Sequence, residues 1–437
     1  MPHSPMIGMH KTNTQSAAFL PLRPVYEQRF RCIGAECEDT CCAGWTIPID
    51  KASYEKYQLL PASALRTKVE QHLLLTPEKN SDAYYASIQH DSRGFCPFLE
   101  ESLCGLQKKH GPEYLSHTCA NYPRSSRQID GLTEKTLLLS CPEAARLVLL
   151  EQNLVPELSA APVDGLRYGQ FHHLSAEPAG AGDLPMVYFW QIRSFALLLL
   201  RDRSYPLWQR LFLLGVFCKR LSGLVGERQI HLIPKLLEDY SKIVSDLLLG
   251  ATMEAIAAQP ALQLDILLTL LKNRLERSPV NGRLLECVRD FSLGIGFDPA
   301  STPAALLSRY LGANTRYFRP WFVQNELLFE NYLSNYVFAH LFPFGAPGPE
   351  QGLHIYREYM LLCVHYAMIK GLLIGIAGRY QSAFDTACAL KLIQSVAKDI
   401  EHSPQSVEQI VDYFETSHLD NTNGMTVLLR DSAQPGI

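Results

Sequence analysis

Several features that define common protein classes are missing from this chain. Its first thirty residues contain no apolar run of seven or more, so we expect no secretory signal peptide and a cytoplasmic protein. Its most apolar later run, 361–376, is interrupted by His365 and Lys370. That run is shorter than the roughly 18 uncharged residues of a membrane span, so it predicts a core helix and no membrane partner.

Strong net charge and the familiar cofactor motifs are also missing. Forty basic and forty-four acidic side chains give a formal net charge of -4, so we expect no nucleic-acid partner. Gly294-Ile295-Gly296 is only a fragment of the G-x-G-x-x-G turn, which argues against an ordinary Rossmann methyltransferase site. The C-x3-C-x2-C trio of radical enzymes is absent as well.

Cysteine, by contrast, is concentrated at one end. Eight of the twelve cysteines lie in the first 141 residues, where even spreading would place about four. A reducing compartment does not keep disulfides, so clustered thiols in a large cytoplasmic protein favour a metal. The other four lie in apolar stretches and are expected to be small buried hydrophobes: Cys218, Cys287, Cys363 and Cys388.

The first cysteine block contains four thiols within eleven residues. Cys32, Cys37, Cys41 and Cys42 read C-x4-C-x3-C-C, followed by Ala-Gly-Trp. Neighbouring thiolates repel one another unless a cation binds them, and a bound metal lowers their pKa enough to deprotonate them. The block therefore predicts a metal site.

The second block is dispersed and holds Cys96, Cys104, Cys119 and Cys141. Two blocks more than fifty residues apart are typical of loops that converge on zinc or an iron–sulfur cluster. Adjacent cysteines suit one tetrahedral ion poorly, and a cluster offers separated iron corners, so iron–sulfur is favoured over zinc. His110 and His117 remain possible ligands of a mixed zinc site.

Composition divides the chain into five segments. We predict a flexible lead-in at 1–25, a cysteine-rich metal-binding module at 26–155, a linker at 156–186, a helical domain at 187–418 and a flexible tail at 419–437. Dense apolar periodicity marks helices near 187–200, 261–271, 321–342, 353–376 and 384–396. The predicted fold class is mainly α, with a loop-rich N-terminal cysteine/metal module followed by an all-α helical domain.

The cysteine motifs carry a family resemblance. C-x4-C-x3-C-C-A-G-W followed by C-P-F-L, L-C-G-L and C-A-N-Y-P-R resembles the CxxCxxCC-type zinc- or iron-chelating proteins, and among them the flagellin lysine-N-methylase family. The segment E-N-Y-L-S-N-Y-V-F at 330–338, followed by H-L-F-P-F at 340–344, resembles the C-terminal helical part of that family. The resemblance spans about 30–402.

This resemblance implies a protein-lysine N-methyltransferase that modifies surface lysines of flagellin in the cytoplasm. It also implies an iron–sulfur cluster of the 4Fe-4S type and S-adenosyl-L-methionine as methyl donor. The metal ligands would be drawn from Cys32, Cys37, Cys41, Cys42, Cys96, Cys104, Cys119 and Cys141. Eight thiols exceed the four of one cluster, so some are structural or a second metal binds. A zinc-stabilised binding protein without catalytic activity and an iron–sulfur electron-transfer protein remain alternatives.

No catalytic residue is assigned from the sequence. Beside the thiols, Asp39 is interpreted as a turn cap, Trp45 and Tyr122 as packing residues and Arg124 as an ion-pair partner. A second set is interpreted as core packing or helix-end residues: Tyr332, Tyr336, His340, Glu401 and His402.

Overall fold

The structure is a computed structural model that describes residues 26–77, 81–129, 132–154, 172–174, 185–277, 280–298, 300–345, 352–401 and 403–431. Helices dominate these residues, which confirms the prediction of a mainly α fold. The predicted lead-in at 1–25 and most of the predicted linker lie outside the described residues, as does His402.

The N-terminal part combines short helices with short strands. The helices are α1 (Tyr26–Arg29), α2 (Lys51–Gln58), α3 (Ala64–His72), α4 (Gly105–His110), α5 (His117–Asn121) and α6 (Pro142–Leu149). The strands are β1 (Pro48–Ile49), β2 (Leu73–Leu75), β3 (Ala86–Ile88), β4 (Leu99–Glu100), β5 (Leu103–Cys104), β6 (Arg124–Ile129), β7 (Leu132–Leu137) and β8 (His172–Leu174). They pair in the orders β1-β3-β2, β4-β5 and β7-β6-β8, and only the β6–β8 pair is parallel among the strands described.

The C-terminal part consists of helices joined by turns and short irregular segments in its described residues. Its α-helices are α7 (Phe189–Leu200), α8 (Leu207–Gly226), α9 (Ile233–Ser245), α10 (Gly250–Glu254), α11 (Pro260–Arg277), α12 (Gly282–Gly294), α13 (Pro303–Ala313), α14 (Arg319–Ala339), α15 (Ile355–Tyr380), α16 (Thr386–Val396), α17 (Pro404–Thr416) and α18 (Thr422–Leu429). Two π-helical turns, Asn314–Phe318 and Ala397–Glu401, continue α13 and α16. The apolar periodicity of the sequence predicted α7, α11, α14, α15 and α16, and the 20-residue helix α8 lies outside the ranges that it marked.

Two hydrophobic cores divide the molecule, and their boundary differs from the predicted domain boundary. A small core is built from residues between Ile47 and Leu106, with Tyr57, Val69 and Phe98 fully buried. The large core belongs to the helical body but also includes Tyr26, Phe30, Ile129 and several apolar side chains between Leu137 and Leu154. The predicted module at 26–155 is therefore not one packing unit, because its two ends pack on the helices.

Helix α15 lies at the centre of the large core. The helical stretch Ile355–Ala383 is long and apolar enough to cross a membrane, yet 89% of its apolar window is buried inside the fold. Helix α12 packs so closely on α15 that a Cβ atom at Gly294 would collide with the carbonyl oxygen of Gly375. Gly294 thus serves helix packing, and the predicted core helix is confirmed.

The prediction of a flexible tail from residue 419 is wrong for its first part. Thr422–Leu429 forms α18, which is capped by the Asn421 side chain and packs on α8 and α15. Met425 and Leu429 are buried there, because the short stretch Met-Thr-Val-Leu-Leu supplies apolar side chains for the core. The polar residues on either side of this stretch make it hard to recognise in the sequence. Residues 432–437 lie outside the described part.

Candidate metal centre

Five of the eight N-terminal cysteines converge beside the small core. The Cys41 side chain lies within electrostatic range of Cys42, and the Cys42 side chain lies within electrostatic range of Cys96. The chain places them there through the backbone, since the Cys96 N–H donates to the Cys42 carbonyl at 2.7 Å and Ala43 pairs with Phe95. The adjacent cysteines of the first block thus meet the first cysteine of the second block.

The β4–β5 hairpin and helix α5 bring the other two thiols. Cys104 ends the hairpin that Cys96 precedes, and it lies within electrostatic range of Cys41. Cys119 lies in α5, whose first turn is capped by Ser116, and it is in range of both Cys104 and Cys41. We call these five residues, Cys41, Cys42, Cys96, Cys104 and Cys119, the five-thiol group.

The remaining three cysteines form a second group next to the large core. Cys141 is in electrostatic range of Cys37 and Cys32, and Cys37 in turn is in range of Cys32. Tyr122 interacts with both Cys141 and Cys41, so it lies between the two groups. We call Cys32, Cys37 and Cys141 the three-thiol group, and the eight predicted ligands therefore divide five to three.

Burial and the neighbouring thiols raise the pKa of several of these cysteines. The interaction in which Cys41 is the donor to Cys42, together with burial, raises the pKa of Cys41 far above its usual value. Burial raises the pKa of Cys119 to about 12, and burial likewise raises the pKa of Cys141 to about 12. Buried neighbouring thiolates repel one another, so only a bound cation can make several of them ionise together.

The donor chemistry fits a thiolate-bound iron–sulfur cluster or zinc. The five-thiol group supplies more sulfur donors than the four that either centre needs. Among the described residues, however, no three His, Cys, Asp or Glu side chains stand arranged so that they could hold a metal ion without moving. Binding would therefore require the thiols to turn from one another toward a common centre, which loop side chains achieve by rotation about χ1.

The loop that carries Cys41 and Cys42 is fastened to the helical body. Lys398, only 5% exposed, donates to both Asp39 carboxylate oxygens at 3.0 and 2.9 Å and to the Thr40 carbonyl at 2.7 Å. Gln394 donates to Asp39 at 2.7 Å and to the Ser140 carbonyl at 2.8 Å. Residues from α16 and its π-helical turn thus hold the backbone segments that precede Cys41 and Cys141.

The polar and aromatic residues beside the thiols have the ordinary roles that the sequence suggested. The Asp39 carboxylate accepts from the Thr40 N–H, as a turn cap does, in addition to its contacts with the helices. Trp45 stacks on Tyr122 with ring centroids 5.6 Å apart, and its Nε1–H donates to the Cys41 carbonyl. Arg124 pairs with Glu27 at 2.9 Å.

The other residues weighed as ligands have other neighbours. His117 faces Asp50, with Nδ1 3.8 Å from the carboxylate, and His110 packs against the Tyr114 ring. The prediction that the later cysteines are buried hydrophobes is confirmed for three of them, Cys218, Cys287 and Cys363. Cys388 is half-buried.

The segment 330–338, which carries part of the resemblance, joins the helices to the N-terminal part. Glu330 of α14 is buried between Arg210 at 2.6 Å and Arg203 at 2.7 Å. Asn335 accepts from the Tyr26 hydroxyl at 2.7 Å and donates to the Leu137 carbonyl. Glu330 thus ties α14 to other residues of the helical body, and Asn335 joins α14 to the N-terminal part.

Sequence reasoning missed Gln394 and Lys398 as anchors of the cysteine loop. Both residues lie more than 350 positions from Asp39 in the sequence, and no local pattern marks a lysine that will be buried beside a distant carboxylate.

The fold and this site together define a class of protein, in which a helical body carries a thiol-rich module on its N-terminal side.

Comparison with known proteins assigns the family. The model of the FliB lysine N-methylase C-terminal domain matches residues 193–428. That is more than half of the chain, and the chain belongs to the FliB lysine N-methylase family.

Individual relatives match over a shorter stretch. The lysine-N-methylases of Salmonella typhimurium strain LT2 and of Salmonella choleraesuis strain SC-B67 are each 37% identical over 128 residues, which cover 29% of this chain and 31% of theirs. The flagellar biosynthetic protein FliU of Salmonella muenchen is 35% identical over 128 residues, 29% of this chain and 75% of its own. The match thus spans about a third of the length of the two lysine-N-methylases. No solved structure matches the chain.

Proposed function

We propose that this protein is a protein-lysine N-methyltransferase that acts in the cytoplasm on surface lysines of flagellin. Membership of the FliB lysine N-methylase family supports lysine methylation, and the flagellar name of the FliU relative supports a flagellar substrate. The observation that carries the proposal furthest is the five-thiol group, which places five sulfur donors near one another beside the family's helical body.

We assign an iron–sulfur cluster of the 4Fe-4S type to this group. Four of its five thiols, Cys41, Cys42, Cys96, Cys104 and Cys119, would hold the cluster, and adjacent Cys41 and Cys42 suit separated iron corners better than one zinc ion. A bound cluster supplies one-electron chemistry, which zinc does not. The contacts from Lys398 and Gln394 hold the loop in place whichever metal binds.

The methyl donor in this proposal is S-adenosyl-L-methionine, on the strength of the family resemblance. The pocket between α11, α13 and α15, lined by Leu267, Tyr310 and Lys370 among others, has a cavity volume of about 40 Å³. Since one water in a cavity needs roughly 10 to 15 Å³ by the same measure, an adenosyl group does not fit there as the helices stand. We therefore assign no residue to the donor.

Intact-mass spectrometry tests the proposal directly. Protein purified without oxygen and incubated with flagellin and S-adenosyl-L-methionine should raise the mass of flagellin in steps of about 14 daltons, the difference between N-methyl and N-H. Peptide mapping should place each step on lysine. A metal-replete protein that leaves flagellin unmodified would contradict the flagellin assignment, and reversible one-electron reduction without any methylation would instead favour electron transfer.

A further inference from the structure

A small pocket in the helical body brings a carboxylate, two tyrosines and a histidine together. Glu401 ends the π-helical turn after α16, and one of its carboxylate oxygens, Oε1, accepts a hydrogen bond from the Tyr332 hydroxyl. The other, Oε2, is 4.0 Å from Nε2 of His340. Tyr336 stacks on the His340 ring with centroids 4.0 Å apart. Leu138 and Leu139 form the remaining wall with parts of α14.

The pocket is closed at its base and open at one side. Tyr332 and Tyr336 are buried and the Glu401 side chain is only 5% exposed. His340 keeps 29% of its side-chain surface exposed and Leu138 is half-buried, so these two residues border the opening. The cavity volume is about 10 Å³. That volume suits a single water-sized group.

An aliphatic ammonium group matches these features. Its head is about the size of one water, and a buried carboxylate is its natural partner. The faces of Tyr and His rings attract a cation, and the leucine wall can contact a methylene chain. A lysine side chain combines an ammonium head with four methylenes, so it can enter a narrow opening from the surface of a protein substrate.

We infer that this pocket receives the side-chain amine of the lysine to be methylated and that the Glu401 carboxylate accepts its proton. The inference rests on the proposed function for the identity of the substrate, but not for the binding of an amine. The proton balance is simple: the ammonium loses one proton to the carboxylate, which leaves a neutral amine with a free lone pair and a protonated Glu401.

The surroundings of Glu401 suit this exchange. Burial raises the pKa of its carboxyl to about 7, while the hydrogen bond from Tyr332 lowers it. The other titratable groups facing it are Tyr336 and His340, both from the end of α14. A lysine in water is protonated at neutral pH and has no lone pair to offer, so a base with a pKa near neutrality is the group that the reaction needs.

The pocket also shares its elements with the thiol groups. Leu138 and Leu139 lead directly into Ser140 and Cys141. Glu401 ends the same π-helical turn in which Lys398 holds Asp39 and Thr40 beside Cys41. A π-helical turn inside a helix is frequent at functional sites. An amine bound by Glu401 would thus lie on the face of the helical body that carries the cysteine module.

Amine binding tests the pocket without reference to catalysis. n-Butylammonium, a mimic of the lysine side chain, should shift NMR signals of the metal-replete protein, and 1-butanol, its uncharged counterpart, should not. Glu401→Gln keeps the size of the side chain but removes its charge, and it should weaken n-butylammonium binding at least tenfold. Glu408→Gln removes an exposed carboxylate of α17 and should leave binding unchanged. Equal binding by wild type and Glu401→Gln, or none by wild type, would overturn the inference.

The pH profile of methylation gives a second test that a merely structural role would not pass. If Glu401 takes the proton, Glu401→Gln should lose roughly 10²- to 10⁴-fold in rate at pH 7. The deficit should shrink toward pH 10, where roughly a quarter of lysine side chains are neutral without a base. A constant deficit at all pH values would contradict the role of Glu401 as the base. Amine binding without flagellin methylation by wild type would overturn only the proposed function.

Discussion

The small cysteine-bearing core and the helical body differ in how they are stabilised. The small core is built from strands of two or three residues and helices of at most nine. The helical body is organised around the 26-residue helix α15, most of which is buried. Because a small core buries too little apolar surface to be stable by itself, small modules commonly depend on a metal or on a larger neighbour. The small core of this protein lies beside thiol donors for a metal, and the loop that carries Cys41 and Cys42 is also hydrogen-bonded to the helical body.

The same residue type therefore has different roles in the two regions. In the helical body Cys218 and Cys363 are buried among apolar side chains as small hydrophobes. In the N-terminal part Cys41, Cys42 and Cys96 instead lie within electrostatic range of one another's thiols. Metal dependence should accordingly be confined to the small region, which is the contrast that the following substitutions test.

The largest effect should follow loss of a thiol from the five-thiol group. Cys42→Ser removes the residue that contacts both Cys41 and Cys96, so the variant should lose bound metal and the structure of the small core, since metal binding is linked to folding. Cys287→Ser removes a buried thiol of α12 and should leave metal content intact. Metal analysis and limited proteolysis measure both, and equal metal loss in the two variants would break the contrast.

Separation of the two regions should be the next largest effect. Asp39→Ala leaves the Lys398 ammonium buried without its carboxylate partner, which should cost roughly 3 to 5 kcal/mol of folding free energy. Thermal unfolding should show the loss, and the double variant Asp39→Ala/Lys398→Met should recover part of it.

The matched control for that pair is an exposed one. Glu238→Ala breaks the pair with Lys242 on the surface of α9 and should shift the unfolding midpoint very little. If Asp39→Ala were as mild as this control, the loop would not depend on the helical body.

Within the helical body, close helix packing should limit substitution. Gly294→Ala places a methyl group against the backbone of α15, and this overpacking should cost roughly 1 to 3 kcal/mol. Gly312→Ala in α13 meets no atom within 4 Å and should stabilise the helix by up to about 1 kcal/mol. Chemical denaturation measures the free energy of unfolding of both variants. An unchanged free energy for Gly294→Ala would mean that α12 and α15 are further apart than in this structure.

The effect that is smallest near neutral pH concerns acid. Burial lowers the pKa of His365 to about 3, and neither ring nitrogen has a hydrogen-bond partner among the described residues. Between pH 6.5 and 3 the unfolded chain binds a proton that the folded chain does not, so stability falls as the pH decreases below 6.5. The expected slope is about 1.4 kcal/mol per pH unit.

Replacement of His365 isolates that contribution. His365→Leu should lose less stability than wild type between pH 7 and pH 5, as measured by urea unfolding at each pH. Parallel curves for the two proteins would show that another group causes the acid sensitivity.

Much of the helical body could be predicted from the sequence because its signal is local. Apolar periodicity at 353–376 predicted α15, which runs from Ile355 to Tyr380, and the period at 321–342 predicted α14. The prediction of a flexible tail was wrong because α18 has few apolar residues. Only its contacts with α8 show that these residues are enough to hold the helix in place.

The candidate site could be predicted only as a set of residue types. Spacing selected the eight cysteines, but the division into five and three depends on how the β4–β5 hairpin and α5 return to the first block. The amine pocket joins Tyr332 to Glu401 across 69 positions, and each looked like an ordinary core or helix-end residue in its own helix. Tertiary packing alone gives these side chains a common function.

The most direct test of the account is the metal content of the wild-type protein purified without oxygen. We predict a brown protein with broad visible absorbance and about four iron and four sulfide ions per chain, as a 4Fe-4S cluster bound by the five-thiol group requires. A colourless protein that holds stoichiometric zinc would contradict the account, because the small core would then be folded around a metal that supplies no one-electron chemistry.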